Sequence, residues 1–226
     1  MSANEYYWID PVYSDRFYGD GNESYSHREH SRCPITREHL EGSRRVGRLN
    51  LHMQHNDRSQ WIIWSVAGMV IHQDILEEFE KERFTGYRTE PATVQFKDGV
   101  ISQEYQEFIV TGWAGIARPE SGVKVRQDCP ACHWKSYTGI KNTEQLVAWS
   151  QWTGEDFFMV WPLPLYIFVT ERVADWFKAK KSRRYIVRGP EDRGHLAKTT
   201  GFTVGLLSNF MPVDLAVKYG RPLGLE

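Results

Sequence analysis

Residues 157–173 read FFMVWPLPLYIFVTERV, and the reading of this stretch decides the fold class. An apolar run from Phe157 to Val169 is interrupted at Pro162 and Pro164, which predicts two short buried strands rather than one helix. Thr170 then caps a helix running to about Lys181, and Tyr185 to Val187 closes the unit as a further strand. Each proline removes a ladder donor, so Trp161 to Leu165 is expected at a sheet edge or bulge, where an apolar surface meets a partner.

The same order occurs upstream. Trp61 to Val66 is an apolar run, followed by a helix from about Gln73 to Arg83 with Ile75, Leu76 and Phe79 on one face. Asp74, Glu77, Glu78 and Glu80 fall largely outside that face, and the acidic first turns suit the helix dipole. A constant offset of 98 aligns Val70 with Phe168, Ile71 with Val169, His72 with Thr170, Ile75 with Val173, Phe79 with Phe177 and Tyr87 with Tyr185. Trp64 meets Trp161 after a one-residue slip. Any strand-helix-strand unit aligns in this way, so the sequence leaves duplication and coincidence both open.

The resulting expectation is an α+β chain with two similar strand-helix-strand units around antiparallel or mixed sheets, braced by a zinc knuckle. The units span residues 60–90 and 157–188 of a single domain, 1–226, with 194–226 as a C-terminal extension. Further strands are expected at residues 4–9, Val46 to Met53 and Phe108 to Trp113. Thr93 to Phe96 and Val100 to Tyr105 flank Asp98-Gly99, a hairpin signal because the turn needs the positive φ that this pair supplies. A short helix from Glu144 to Trp149 has Asn142 and Gln145 at capping-box spacing. Pro11 to about Arg45 reads as a polar, loop-rich stretch that needs something to order it.

Composition bounds the function. The 226 residues carry 28 Lys+Arg against 29 Asp+Glu, so no global charge drives the chain toward nucleic acid or an acidic membrane. A 41% hydrophobic content with nine Trp supplies a full core. The N-terminus has no signal-peptide pattern, and the longest apolar run falls short of the roughly 20 residues of a membrane span. With three cysteines, a cytoplasmic protein is expected.

Cys129-Pro-Ala-Cys132 is the sharpest chemical signal. Two thiolates three positions apart grip one side of a tetrahedral zinc and need two more ligands from elsewhere. Cys33, followed by Pro34 as Cys129 is by Pro130, is the obvious third. His30, Cys33, Cys129 and Cys132 make a closed site, with His39 competing for the fourth place and His133 a weaker candidate. With four protein ligands the zinc is structural. A thioredoxin-like use needs a βαβ setting that the neighbouring sequence lacks, and inert buried cysteines are the remaining alternative. His52 and His55 form an HxxH, but positions three apart on a strand face opposite sides. No phosphate-binding loop, His-Glu-x-x-His or Gly-x-Ser-x-Gly is present, and no enzyme is expected. The basic run Lys178, Lys180, Lys181, Arg183 and Arg184 beside Trp176, Phe177 and Tyr185 has the elements of a nucleic-acid contact, yet it sits where a helix dipole favours cations anyway.

Together, the aromatic N-terminal strand, Cys33-Pro34, the first strand-helix unit, Cys129-Pro-Ala-Cys132 and the run from Phe157 through Thr170-Glu171-Arg172-Val173 resemble the myxobacterial double-CXXCG proteins and related immunity proteins of bacterial polymorphic toxin systems. The resemblance covers roughly residues 5–190 in order and spacing more than in identity. Thr36 stands where a second cysteine of the first element would be, and His133 where the family has Gly. The resemblance implies a protein that binds and neutralises a cognate toxin, without catalytic residues. Asp74, Glu77, Glu78, Trp161 and Trp176 are the candidate partner contacts. The rival expectation is a zinc-braced nucleic-acid-binding regulator.

Overall fold

A computed structural model describes residues 5–11, 24–31, 33–36, 39, 42–65, 68–181 and 185–225. In chain order the strands and helices are β1 (Tyr7–Pro11), β2 (Ser24–Ser31), β3 (Gly42–His52), β4 (Ile62–Ser65), β5 (Gly68–His72), α1 (Gln73–Lys81), β6 (Tyr87–Gln95), β7 (Ile101–Ser102), β8 (Tyr105–Val110), β9 (Gly112–Ile116), β10 (Val125–Asp128), β11 (Lys135–Thr138), β12 (Phe157–Trp161), β13 (Ile167–Val169), α2 (Glu171–Ala179), β14 (Tyr185–Arg188), α3 (Arg193–Leu196), β15 (Gly201–Val204) and α4 (Val213–Gly220). They build a seven-stranded sheet ordered β2-β3-β6-β8-β5-β4 with β7 on β6, a five-stranded sheet ordered β14-β1-β13-β12-β9, and a three-stranded sheet ordered β10-β11-β15. The fold is α+β, as expected.

The offset of 98 is present in three dimensions. It carries α1 onto α2 and the first residue of β6 onto the first residue of β14. It also carries Arg83, at φ 54°, onto Lys181, at φ 50°, so both helices end in the same left-handed turn. The strand between the outer pair matches too. In the first unit β8 lies antiparallel between β5 and β6, with Glu107 opposite Val70 and Glu90. In the second unit β1 lies antiparallel between β13 and β14, with Trp8 opposite Phe168 and Arg188. The second unit therefore takes its central strand from the N-terminal part of the chain, a permuted version of the first. One detail differs from the sequence alignment. Ladder register makes Phe157 the counterpart of Ile62, so Trp64 corresponds to Met159 rather than Trp161.

The two helices are buried against each other's units. Ile75 and Phe79 of α1, Val173, Ala174 and Phe177 of α2, Ile71 and Phe108 of the first sheet, and Ile9 and Val169 of the second form one apolar cluster. Phe79 stands at its centre, with ring contacts to Trp176 at 5.1 Å, Phe157 at 5.4 Å and Phe177 at 5.8 Å. Asp156 ties the units together. Its carboxylate accepts from Thr85 N at 2.9 Å, Thr170 Oγ1 at 3.0 Å and Arg172 Nε at 2.8 Å. Arg172 reaches on to the carbonyls of Glu82 and Arg83 at the C-terminal end of α1, where a cation complements the exposed carbonyls. Thr170 holds the N-cap position with extended dihedrals, but its hydroxyl serves Asp156 instead of the helix; in the first unit His72 Nδ1 makes the cap bond to Asp74 N.

Several expectations are corrected. Of the expected edge or bulge, Trp161 has the bulge and not the edge: β12 lies between β13 and β9, its register on β9 shifts between Met159 and Trp161, the residue is 1% exposed, and Pro162 and Pro164 fall in the loop beyond the strand. Only Leu165 of that segment projects into solvent. The polar stretch 11–45 contains β2 and the start of β3, paired antiparallel from Ser24 opposite Asn50 to Ser31 opposite Gly42. The short helix near residue 144 is two 3-10 turns, Thr143–Gln145 and Trp149–Gln151, the first capped by Asn142. The Asp98-Gly99 hairpin forms, with positive φ at Gly99 alone. From the C-terminal extension, Leu196, Val204, Leu207, Met211, Ala216 and Leu225 pack in one cluster with Trp8, Trp161 and Phe168. No helix among the described residues is long and apolar enough to cross a membrane.

Candidate metal centre

Two hairpin tips meet at the cysteines. The β10–β11 connection carries Cys129 and Cys132, and the β2–β3 connection carries Cys33 and His39. The sulfurs of Cys33, Cys129 and Cys132 and a ring nitrogen of His39 all lie within 4.8 Å of one another. Cys33 Sγ is 3.8 Å from Cys129 Sγ, too far for a disulfide of about 2.05 Å. Cys132 Sγ is 3.4 Å from His39 Nδ1. These four groups are close enough to hold a metal ion.

Of the two histidines expected to compete for the fourth place, His39 lies in the cluster. β2 continues to Ser31, which places His30 within the ladder opposite Ser43; its side chain lies outside the described residues. The chain turns at Cys33-Pro34 and brings His39 back to the cluster. Thr36 stands where a second cysteine would complete a knuckle, yet the turn keeps its form: the backbone N–H groups of Ile35 and Thr36 point at Cys33 Sγ as those of Ala131 and Cys132 point at Cys129 Sγ. His133 holds φ 55° after the second knuckle, at the place where glycine is the unstrained choice.

The surroundings act differently on the three sulfurs. Burial pushes the Cys33 thiol up, but the N–H groups of Thr36 and Ile35 and the neighbouring sulfurs outweigh it and hold the group below its ordinary value. At Cys129 the Ala131 N–H acts most strongly and the net direction is again down. Burial, with the other two sulfurs, pushes Cys132 up to about 11, the response of a third thiol crowded by two others. A cation at the centre reverses that penalty, because three sulfurs facing one another repel as thiolates and bind together as ligands.

Trp134 completes the site. Its ring stacks on His39 with centroids 4.4 Å apart and 10° between planes, its backbone N–H donates to the Cys132 sulfur, and its carbonyl accepts from Cys129 N at 2.9 Å. Nothing in the Cys spacing announced this residue; its position two after Cys132 is the only signal. A tetrahedral ion held by three sulfurs and an imidazole would have no open position for a substrate or water, an arrangement consistent with a structural metal.

The other expected site residues are scattered. Asp74 and Glu77 are exposed on α1, while Glu78 is ion-paired with Lys180 of α2. Trp176 is half-buried, edge-on to Phe79, Phe84 and Phe177, with the Lys180 ammonium 4.7 Å from its ring centroid. Lys178 lies over Tyr7, so the aromatic groups beside the basic run are engaged within the protein; Arg183 and Arg184 lie outside the described residues. His55 of the HxxH pairs with Gln60 and Asp57 in a loop, away from His52 at the end of β3. Comparison of the sequence with protein-family models and with curated proteins finds no match.

Proposed function

We propose that this chain is a zinc-braced, non-catalytic binding protein of the immunity type, which neutralises a cognate bacterial toxin by direct contact. The observation that carries the reading is the closed Cys33/His39/Cys129/Cys132 centre. A tetrahedral zinc with bonds of about 2.3 Å to sulfur and 2.05 Å to nitrogen has S–S edges of about 3.8 Å and S–N edges of about 3.5 Å. The distances of 3.8 Å and 3.4 Å fit that shell. A metal so enclosed serves rigidity, and a rigid surface is what a tight inhibitor requires, since preorganisation lowers the cost of association. The order of motifs that resembles the immunity proteins supports the same reading.

The outer face of α1, with Asp74 and Glu77, is the proposed contact surface; acidic groups there steer a basic partner and set the association rate. Trp161 is withdrawn from the contact set because it is enclosed in the core. The test is to express the adjacent gene in a bacterial host with and without this protein. Growth arrest relieved by co-expression, together with a complex that Asp74→Ala/Glu77→Ala weakens, is the expected result. A harmless neighbour, or toxicity that this protein leaves unchanged, contradicts the proposal.

A further inference from the structure

The seven-stranded sheet has a step in its outline. β8 is flanked on both sides, by β6 and by β5, whereas β7 continues the line of β8 and pairs only with β6. The step arises where β5 stops. His72 stands opposite Tyr105, Gln73 N donates to the Glu104 carbonyl at 2.8 Å, and the chain then leaves the sheet as α1. Among the described residues no strand lies along the outer side of β7.

The backbone of β7 is turned toward that side. Phe96 N donates to the Val100 carbonyl at 2.8 Å, so in the antiparallel alternation the next pair, Gln95 with Ile101, is not hydrogen-bonded. The N–H and C=O of Ile101 therefore point away from β6. The side chains here are apolar: Val100 is 47% exposed and Ile101 56%. They border a cleft of about 330 Å³ floored by the buried rings of Phe96 and Tyr105 and walled by Arg58 and Glu104. That volume lies at the lower end of the roughly 300–1,000 Å³ found for binding pockets.

Charge selects the occupant. Arg58 lies over the Phe96 ring and is already paired with Asp98. At the other end Glu104 and Asp74, with side chains 72% and 73% exposed, share the single imidazole of His72 at 3.7 Å and 3.4 Å. This end of the cleft carries an excess of carboxylates. A second copy of the chain is a poor fit, because antiparallel pairing about Ile101 sets Glu104 against Asp98, and like charges directly opposite destabilise a ladder.

We propose that β7 receives an extended segment of a partner protein as an added strand, with an apolar side chain in the cleft and a Lys or Arg beside Glu104 and Asp74. Main-chain bonds to Ile101 supply the anchor, the cleft selects the side chain, and the carboxylates set the charge of the segment. The inference stands on β7 and its cleft and does not require the partner to be a toxin.

Titration of the full chain into a fluorescently labelled short peptide of alternating Lys and Val, read as anisotropy, tests it. A second peptide with Glu in place of Lys is the charge control. Saturable binding of the Lys peptide, at least about fivefold tighter than the Glu peptide, is expected. Ile101→Pro removes the outward N–H, which β6 does not use, and Glu104→Lys reverses the exposed charge; each weakens binding by about fivefold or more. Because Glu104 is exposed and outside the ladder, its variant keeps the test valid even if Ile101→Pro does not fold. Absence of saturable binding, equal binding of the two peptides, or binding that Glu104→Lys leaves unchanged overturns the proposal. Self-association of the chain alone that Ile101→Pro abolishes assigns the edge to a second copy and overturns it as well.

Discussion

At the residue scale, burial controls the tyrosines. Tyr6 donates to the Thr143 carbonyl at 2.6 Å and Tyr185 to the Phe177 carbonyl at 3.0 Å, and burial raises both from 10.0 to about 12. The folded values lie above the unfolded one, so the neutral, hydrogen-bonded form is favoured in the native state. Its contribution is complete below pH 10 and is lost as the pH rises toward 12. Denaturant titrations at increasing pH are expected to show stability falling through that window, with a shallower fall in Tyr185→Phe; an unchanged slope contradicts the assignment. Single residues also mark where sequence reasoning ended. The Cys-Pro repetition at 33 and 129 located three ligands, because a thiolate knuckle is a local structure. The choice between His30 and His39 depends on where β2 stops, and its sequence, SYSHREHS, has no apolar alternation to mark a strand. At Trp161 the adjacent prolines suggested an edge or a bulge; the ladder does shift register there, while the prolines themselves lie beyond the end of the strand and Trp161 is enclosed rather than open to a partner.

At the scale of elements, β12, β13 and α2 were legible because apolar runs, a cap position and a helical face agree with one another. The equivalence of α1 and α2 was visible as a spacing, yet its meaning depends on β1, whose place between β13 and β14 no local pattern encodes. The strongest sign of duplication is conformational. Arg83 and Lys181 both take positive φ two residues after their helices, at 54° and 50°. Residues with a Cβ pay roughly 1–2 kcal/mol for that region, and glycine does not. Arg83→Gly and Lys181→Gly are each expected to raise unfolding stability by about 0.5–1 kcal/mol, the remainder being offset by the greater freedom of glycine in the unfolded chain. Chemical denaturation checks this; a loss of stability in both variants would show that the two helices do not share the left-handed turn.

At the scale of the whole molecule, the candidate metal centre lies where two different sheets meet. Cys33 and His39 follow β2, at one edge of the seven-stranded sheet, and Cys129 and Cys132 cap the β10–β11 hairpin of the small three-stranded sheet. The polar, loop-rich segment before residue 45 calls for an ordering agent, and a metal held by these four groups would clamp the two hairpin tips together. The balanced charge of the chain fits a protein whose ionic groups act locally, as in Asp156–Arg172, Glu78–Lys180 and Arg188–Asp10. Because a structural metal binds the folded state, its removal lowers thermal stability, and the loss should be equal for chelator treatment and for ligand substitution. The most direct measurement is the zinc content of purified protein by elemental analysis, made on the natural chain and on His39→Ala and His30→Ala. One zinc per chain, retained in His30→Ala and lost or strongly weakened in His39→Ala, is the predicted result; a natural chain without stoichiometric zinc, or loss in His30→Ala with retention in His39→Ala, would contradict it.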